Sequence, residues 1–86
     1  MKKDMYVYPA VLTYESDGIS IEFLDLPGCL PCATNTEEAI KNSKEAMSLH
    51  LYGMEENNME TPETSSITNI KLEQNETLLL IEVYMP

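Results

Sequence analysis

The stretch Phe23-Leu24-Asp25-Leu26-Pro27-Gly28-Cys29 decides how this chain folds, together with the helix predicted to begin at Thr36. Pro27 fixes its own φ and Gly28 tolerates positive φ, which is the pairing that a type II turn requires. We expect a strand to end here and the chain to turn sharply toward the helix. No residue in the stretch pairs a nucleophile with a base, so its predicted role is architectural.

Two strands are predicted before this turn. Met5–Glu15 alternates, with one face formed by Tyr6, Tyr8, Ala10, Leu12 and Tyr14. Pro9 cannot donate to a sheet ladder, so it predicts an edge strand or a bulge. Ser16–Gly18 has hairpin-turn composition, and Ile19–Leu24 places Ile19, Ile21 and Phe23 inward.

After the turn, Cys29–Thr34 is expected to form a short third strand that Pro31 weakens. Asn35 is the predicted N-cap of the helix, and Glu38 completes a capping box. Glu37 adds negative charge near the positive end of the helix dipole.

The helix is predicted over Thr36–Tyr52, ending at Gly53, which suits the C′ position. Its apolar stripe should pack on one face of the sheet. The stripe consists of Ala39, Ile40, Ser43, Met47, His50, Leu51 and Met54.

The C-terminal third begins with loop composition over Glu55–Ser66, followed by an expected helical turn near Ser66–Ile70. Thr77–Tyr84 is the last predicted strand. Its unbroken apolar run, Leu78–Ile81, favours a central strand covered on both faces. The predicted class is therefore α+β, an antiparallel meander with a helix and a returning strand, in the order β-β-β-α-β.

Size and charge narrow the function. With 86 residues the chain forms one domain whose small core makes self-association, as a homodimer or higher oligomer, a reasonable expectation. A net charge of −10 repels nucleic acid and attracts basic proteins. Met1-Lys2-Lys3 leads into Asp4 rather than an apolar run, and the longest aliphatic run, Leu78–Ile81, is too short for a membrane span. We therefore expect a cytoplasmic protein.

Taken together, the motifs resemble the N-terminal domain of HicB antitoxins, which belong to type II toxin-antitoxin pairs. The resemblance covers nearly the whole chain. It rests on Tyr8-Pro9-Ala10-Val11, Asp17-Gly18, Phe23–Cys29, Glu37–Met47, Leu49-His50-Leu51 and Leu79–Val83.

The resemblance implies a partial ribonuclease-H-like fold over residues 1–86 and a partner, a HicA-type toxin. Such a toxin is a small basic ribonuclease that cuts messenger RNA with a histidine. Members of the family usually carry a C-terminal DNA-binding domain. We expect none in this chain, which ends at Met85-Pro86, and hence no operator binding by the chain alone.

Catalytic, metal and cofactor sites are not expected. A thioredoxin-type pair requires its first cysteine at a helix N-terminus, but Cys29 and Cys32 lie before the predicted helix. Zinc prefers four ligands, and His50 is the sole histidine that could join the two cysteines. The acidic candidates for a metal site, Asp17, Glu22 and Asp25, are not expected to converge. We expect Asp25 to bond the backbone of its own turn.

The sequence therefore predicts a non-catalytic antitoxin that masks its partner. Glu15, Glu22 and Asp25 are the predicted partner-binding acids, which would steer association. Asp25, Pro27, Gly28, Asn35 and Glu38 are the predicted turn and cap residues. A stand-alone oligomerising module that binds proteins, or a redox or metal protein using Cys29 and Cys32, are the alternatives.

Overall fold

A computed structural model describes residues 5–85 and shows one long helix packed on a four-stranded antiparallel sheet. The predicted α+β class and element order are confirmed. The elements are β1 (Met5–Glu15), β2 (Gly18–Phe23), β3 (Cys32–Ala33), α1 (Thr36–Glu56), a 3₁₀ helix (Ile67–Asn69) and β4 (Glu76–Tyr84).

The order of the strands is β3-β2-β1-β4, so β1 is central and the prediction of an edge position from Pro9 is wrong. Tyr14 donates its N–H to the oxygen of Asn75 on the β4 side. Because backbone groups alternate between the two edges of a strand, odd-numbered residues of β1, including Pro9, face β2. The last pair with β2 is Ala10 with Phe23. The missing N–H of Pro9 therefore falls where β2 has already ended, and it costs no ladder bond.

The last strand, β4, lies at the edge of the sheet, and its predicted central position is also wrong. Ile81 and Val83 are buried, whereas Leu80 is exposed. The aliphatic run therefore alternates between the two faces, like any strand that is half-buried.

Two consecutive turns form the Phe23–Cys29 stretch. Leu26 donates its N–H to the oxygen of Phe23 at 3.3 Å, and Cys29 donates to the oxygen of Leu26 at 3.0 Å. Gly28 has a φ of 90°, as the third position of a type II turn requires. Phe23, Leu26 and Cys29 are buried. The two turns thus bring every third side chain of the stretch into the core.

The strand β3 has two residues rather than the predicted six, because the preceding Cys29–Pro31 belongs to the turn and its exit. Asn35 caps α1 by accepting from the N–H of Glu38 at 2.8 Å. The carboxylate of Glu38 accepts in return from the N–H of Thr34 at 3.0 Å. These two bonds fix where α1 begins, although Glu38 bonds the N–H of Thr34 and not the N–H of Asn35 that the predicted capping box requires.

The helix continues past Gly53, so the predicted end at Tyr52 is wrong. Asn58 has a φ of 55°, and the N–H of Met59 donates to the oxygen of Met54 at 2.8 Å. The N–H of Asn58 donates to the oxygen of Glu55. These are the two bonds of a Schellman motif, with asparagine in place of glycine at C′.

The buried stripe of α1 is narrower than predicted. Its fully buried members recur every four residues and are Ala39, Ser43, Met47 and Leu51. The predicted members His50 and Met54 are half-buried, and Ile40 is exposed. Opposite the stripe, the sheet contributes Tyr6, Tyr8, Ala10, Leu12, Ile19, Ile21, Phe23, Ile81 and Val83 to the core.

The connection from α1 to β4 wraps around the sheet. Thr64 donates its hydroxyl to the oxygen of Val7 at 2.7 Å, on the edge of β1 that β2 leaves open. The connection ends at Asn75 on the opposite, β4 side. Pro9 and Val11 are buried although they lie on the face away from α1. We infer that the intervening chain crosses this face and covers them, with the 3₁₀ helix where a helical turn was predicted.

Over the described residues, none of the helical segments combines the length and hydropathy that a membrane crossing needs. The basic start at Met1-Lys2-Lys3 and the final Pro86 lie outside the described residues.

Ser43 gives a stability prediction. Its hydroxyl is buried beneath α1 without a hydrogen-bond partner. Ser43→Ala removes that hydroxyl and improves helix propensity, so it should raise the free energy of unfolding by about 1 kcal/mol. Urea denaturation followed by circular dichroism measures the change. Ser48→Ala, at a half-buried position of the same helix, is the control for propensity. An equal gain in both variants would show that the buried hydroxyl costs nothing.

Candidate partner-binding surface

Tyrosines of β1 hold the end of α1 and the loop that follows it. The hydroxyl of Tyr6 donates to Glu55 Oε2 at 3.0 Å, and that of Tyr8 donates to the oxygen of Pro62. The two rings are stacked with centroids 6.3 Å apart. Burial raises the pKa of Tyr6, and the bond to Glu55 adds to the shift. Burial likewise raises the pKa of Tyr8. Both phenols therefore stay protonated as donors, and the loop is anchored to the core.

Asp25 provides a second anchor for this loop. Its carboxylate accepts from the N–H of Ser65 at 2.9 Å and also from the Ser65 hydroxyl. The expectation that Asp25 bonds its own turn is wrong, because the turn bonds described above are made by backbone groups. The carboxylate instead ties the turn to a segment forty residues later.

The three predicted partner-binding acids do not form one cluster of free charges. Glu22 lies opposite Val11, and Glu15 opposite Gly18, on the face of the sheet away from α1. Both side chains are exposed. Asp25 is half-buried and is engaged by Ser65. Their role in binding stays a prediction, and Asp25 has a structural role besides.

Large apolar side chains are exposed along the second half of α1 and the chain beside it. Leu49 is 73% exposed and Tyr52, three residues along the helix, is 54% exposed. Leu30 is 65% exposed and shares with Leu49 a shallow cleft of about 430 Å³ that His50 also lines. We call Leu30, Leu49 and Tyr52 the α1 surface. Large exposed apolar side chains of this kind often act as anchor residues in protein interfaces.

The segment that bears Leu49 and Tyr52 carries charges of a single sign. Residues 45–63 contain no Lys or Arg, and their acidic residues are Glu45, Glu55, Glu56, Glu60 and Glu63. The helix lysines, Lys41 and Lys44, lie in its first half. A hydrogen bond to Glu56 raises the pKa of Tyr52. Exposed apolar side chains and acidic residues therefore share the second half of α1, a combination that suits a basic partner.

Residues with potential chemistry are separated. Among residues 5–85, no three His, Cys, Asp or Glu side chains are close enough to hold a metal ion. Cys29 is buried and Cys32 exposed, and neither forms a disulfide. Burial raises the pKa of the Cys29 thiol, which disfavours the thiolate that redox or metal chemistry needs. This arrangement gives the redox and metal alternative no support.

Sequence reasoning missed Leu30, Leu49 and Tyr52. The signal for the helical pair was present, because two large apolar residues three positions apart lie off the buried stripe. Leu30 could not be found this way, since its exposure depends on how the turn at Pro27 and Gly28 directs the following chain.

A comparison with protein-family models decides the family. The model described as the HicB_like antitoxin of bacterial toxin-antitoxin systems matches residues 8–84. The chain belongs to the HicB-like antitoxin family. A curated relative, described as an uncharacterized 14.9 kDa protein in the rep-hol intergenic region of Haemophilus phage HP1, is 36% identical over 61 residues. The match covers 71% of this chain and 46% of the phage protein, so the chain spans less than half of its relative.

Solved structures share the fold. A toxin-antitoxin complex from Streptococcus pneumoniae contains a chain with a TM-score of 0.82 at 16% identity, covering 91% of this chain and 68% of that one. The N-terminal domain of Burkholderia pseudomallei antitoxin HicB gives 0.77 at 18% identity, covering 93% and 100%. A chain of a HicA3 and HicB3 toxin-antitoxin complex gives 0.70 at 20% identity, covering 88% and 95%. The HicB-like fold predicted from the sequence is thereby confirmed.

The Asp25 anchor can be tested by stability. Asp25→Ala removes both acceptors for Ser65 and should lower the free energy of unfolding by about 1–2 kcal/mol. Glu22→Ala, at an exposed acid of β2, should change it by less than about 0.5 kcal/mol. Urea denaturation measures both variants. Equal effects would contradict a tethering role for Asp25.

Proposed function

We propose that this chain is the antitoxin of a type II pair and neutralises a small basic HicA-type ribonuclease by covering its RNA-binding face. The observation that carries the proposal is the family match over residues 8–84. The solved HicA3 and HicB3 complex supports the choice of partner, because one of its chains shares this fold.

Charge supports the mode of action. A toxin that holds RNA needs positive charge on its binding face, and the antitoxin has a net charge of −10. An acidic protein competes with RNA for that face and is drawn to it over long range. Charge alone gives fast but weak binding, so a lasting complex also needs apolar contact.

The α1 surface supplies that contact in the proposal. Leu49 and Tyr52 project from a helix whose first turn is capped and whose last turn is anchored through Glu55 to Tyr6. Because the helix backbone is already ordered, binding requires no further ordering of the backbone at these two residues. Glu45 and Glu56 lie on the same helix as these anchors, and Glu56 bonds Tyr52, so steering and contact act on the same part of the chain.

Co-expression with the product of the adjacent gene tests the function. If that gene encodes a small basic ribonuclease, the antitoxin should relieve growth arrest and the two proteins should purify together. Surface variants then locate the interface. Leu49→Ala and Tyr52→Ala should each raise the dissociation rate at least about tenfold, because each truncates an anchor. Ile40→Ala, at an exposed position in the first half of α1, is the control and should have little effect.

The outcomes separate function from surface. Continued growth arrest and no complex would contradict the antitoxin proposal itself. Relief of arrest with unchanged dissociation in both anchor variants would leave the function standing and contradict the α1 surface. Two double variants show which acids steer the toxin: one combines Glu15→Gln with Glu22→Gln, and the other combines Glu45→Gln with Glu60→Gln. The measured quantity is the association rate of each variant with the toxin. We expect the second pair to matter more.

DNA binding gives a further prediction. Residues 55–86 contain seven Glu and one Lys, so they offer no basic recognition helix. This chain should therefore not shift its own upstream region in a gel at physiological salt. A specific, salt-sensitive complex formed by the chain alone would contradict this prediction.

A further inference from the structure

The outer edge of β4 carries backbone groups without partners in the described part of the chain. Odd-numbered residues of β4, such as Thr77 opposite Leu12 and Ile81 opposite Tyr8, direct their N–H and C=O groups toward β1. Even-numbered residues direct theirs outward. The N–H of Glu76 is taken by the oxygen of Glu73. The open edge therefore consists of the four residues Leu78, Leu80, Glu82 and Tyr84.

This edge has only one of the usual protections, the charge of Glu82. Edge strands are normally short, or carry charged side chains, Pro or a bulge that hinders pairing with another chain. β4 is nine residues long, and within it there is no Pro or Lys. Leu80 is 53% exposed and Tyr84 71% exposed. A long, regular edge with exposed apolar side chains is suited to pairing with another strand.

The sequence of the edge matches itself. In an antiparallel pairing about a two-fold axis at Ile81, Leu78 lies opposite Tyr84 of the second copy, and Leu80 opposite Glu82. All four open residues then pair only with one another. Each Glu82 faces a leucine, so no acid lies directly opposite an acid, and Leu78 with Tyr84 forms an aliphatic-aromatic pair.

We propose that two copies of this chain join their β4 edges in this register and form a continuous eight-stranded sheet. The expected self-association is thus assigned to β4, because β1 is paired with β4 on one side and with β2 and Thr64 on the other. The contact is made by β4, to which none of the three residues of the α1 surface belongs. The proposal does not depend on the identity of the toxin.

Salt dependence distinguishes this contact from toxin binding. Two chains of net charge −10 repel each other, so screening should strengthen the dimer. Raising NaCl from about 50 mM to about 500 mM should tighten self-association several-fold, whereas it should slow association with a basic toxin.

The register is tested by cross-linking in a Cys32→Ser background, which removes the exposed native thiol. Leu78→Cys chains mixed with Tyr84→Cys chains should form a disulfide between the two variants under mild oxidation, because directly opposite residues are within reach. A sample of either variant alone should form no disulfide. In this register the cysteine of one copy lies six residues along the strand from the same cysteine of the other copy, a distance of about 20 Å. A cross-link in a single-variant sample, or none in the mixture, would overturn the register.

Sedimentation equilibrium tests the edge itself. The unmodified chain should be dimeric at tens of micromolar, where a standard-sized interface is populated. Leu80→Pro removes an outward N–H without touching the ladder to β1, and it should weaken the dimer at least about tenfold. Circular dichroism checks that this variant keeps its fold. A monomeric wild-type chain at high salt, or a folded Leu80→Pro variant that dimerises normally, would contradict the proposal.

Discussion

The early end of β2 at Phe23 is the constraint on which the rest of the structure depends. Two consecutive turns follow at once and bury Leu26 and Cys29 beneath the helix. Because β2 stops there, the first residues of β1 have an open edge. Pro9 tolerates that position since it has no N–H to lose, and Thr64 uses the open edge to bond Val7. The connection from α1 then passes around the sheet at this gap.

The same gap links fold to proposed function. Asp25 in the turn holds Ser65, and Tyr6 and Tyr8 hold Glu55 and Pro62. These bonds fix the acidic loop that follows α1. Without them, the loop would have to become ordered when a partner binds. Ordering costs free energy, so an anchored loop favours affinity. Tyr6, Tyr8 and Asp25 thus hold the loop in place through hydrogen bonds, although they do not belong to the proposed binding surface.

The sequence predicted what is local. The turn at Pro27 and Gly28, the cap at Asn35 and the bounds of β1 each follow from the residues within a few positions. Strand order was not predictable in the same way. Pro9 favoured an edge position for β1, and the apolar run Leu78–Ile81 favoured a central position for β4. Both predictions were wrong, because the burial of these residues depends on where β2 ends and on which face of the sheet the connection crosses. The Asp25–Ser65 bond spans forty residues and left no local signal. The helix passed Gly53 because Asn58 supplies the left-handed residue five positions later.

The most direct test is hydrogen exchange of the chain alone and in complex with the proposed toxin. Amides that the complex covers or stabilises exchange more slowly, and the chain is small enough to be covered by overlapping peptides. We predict slower exchange over residues 45–63, with little change at the first turns of α1 around Glu37 and Lys41. Unchanged exchange over residues 45–63, with protection confined to the sheet face that bears Glu15 and Glu22, would contradict the account.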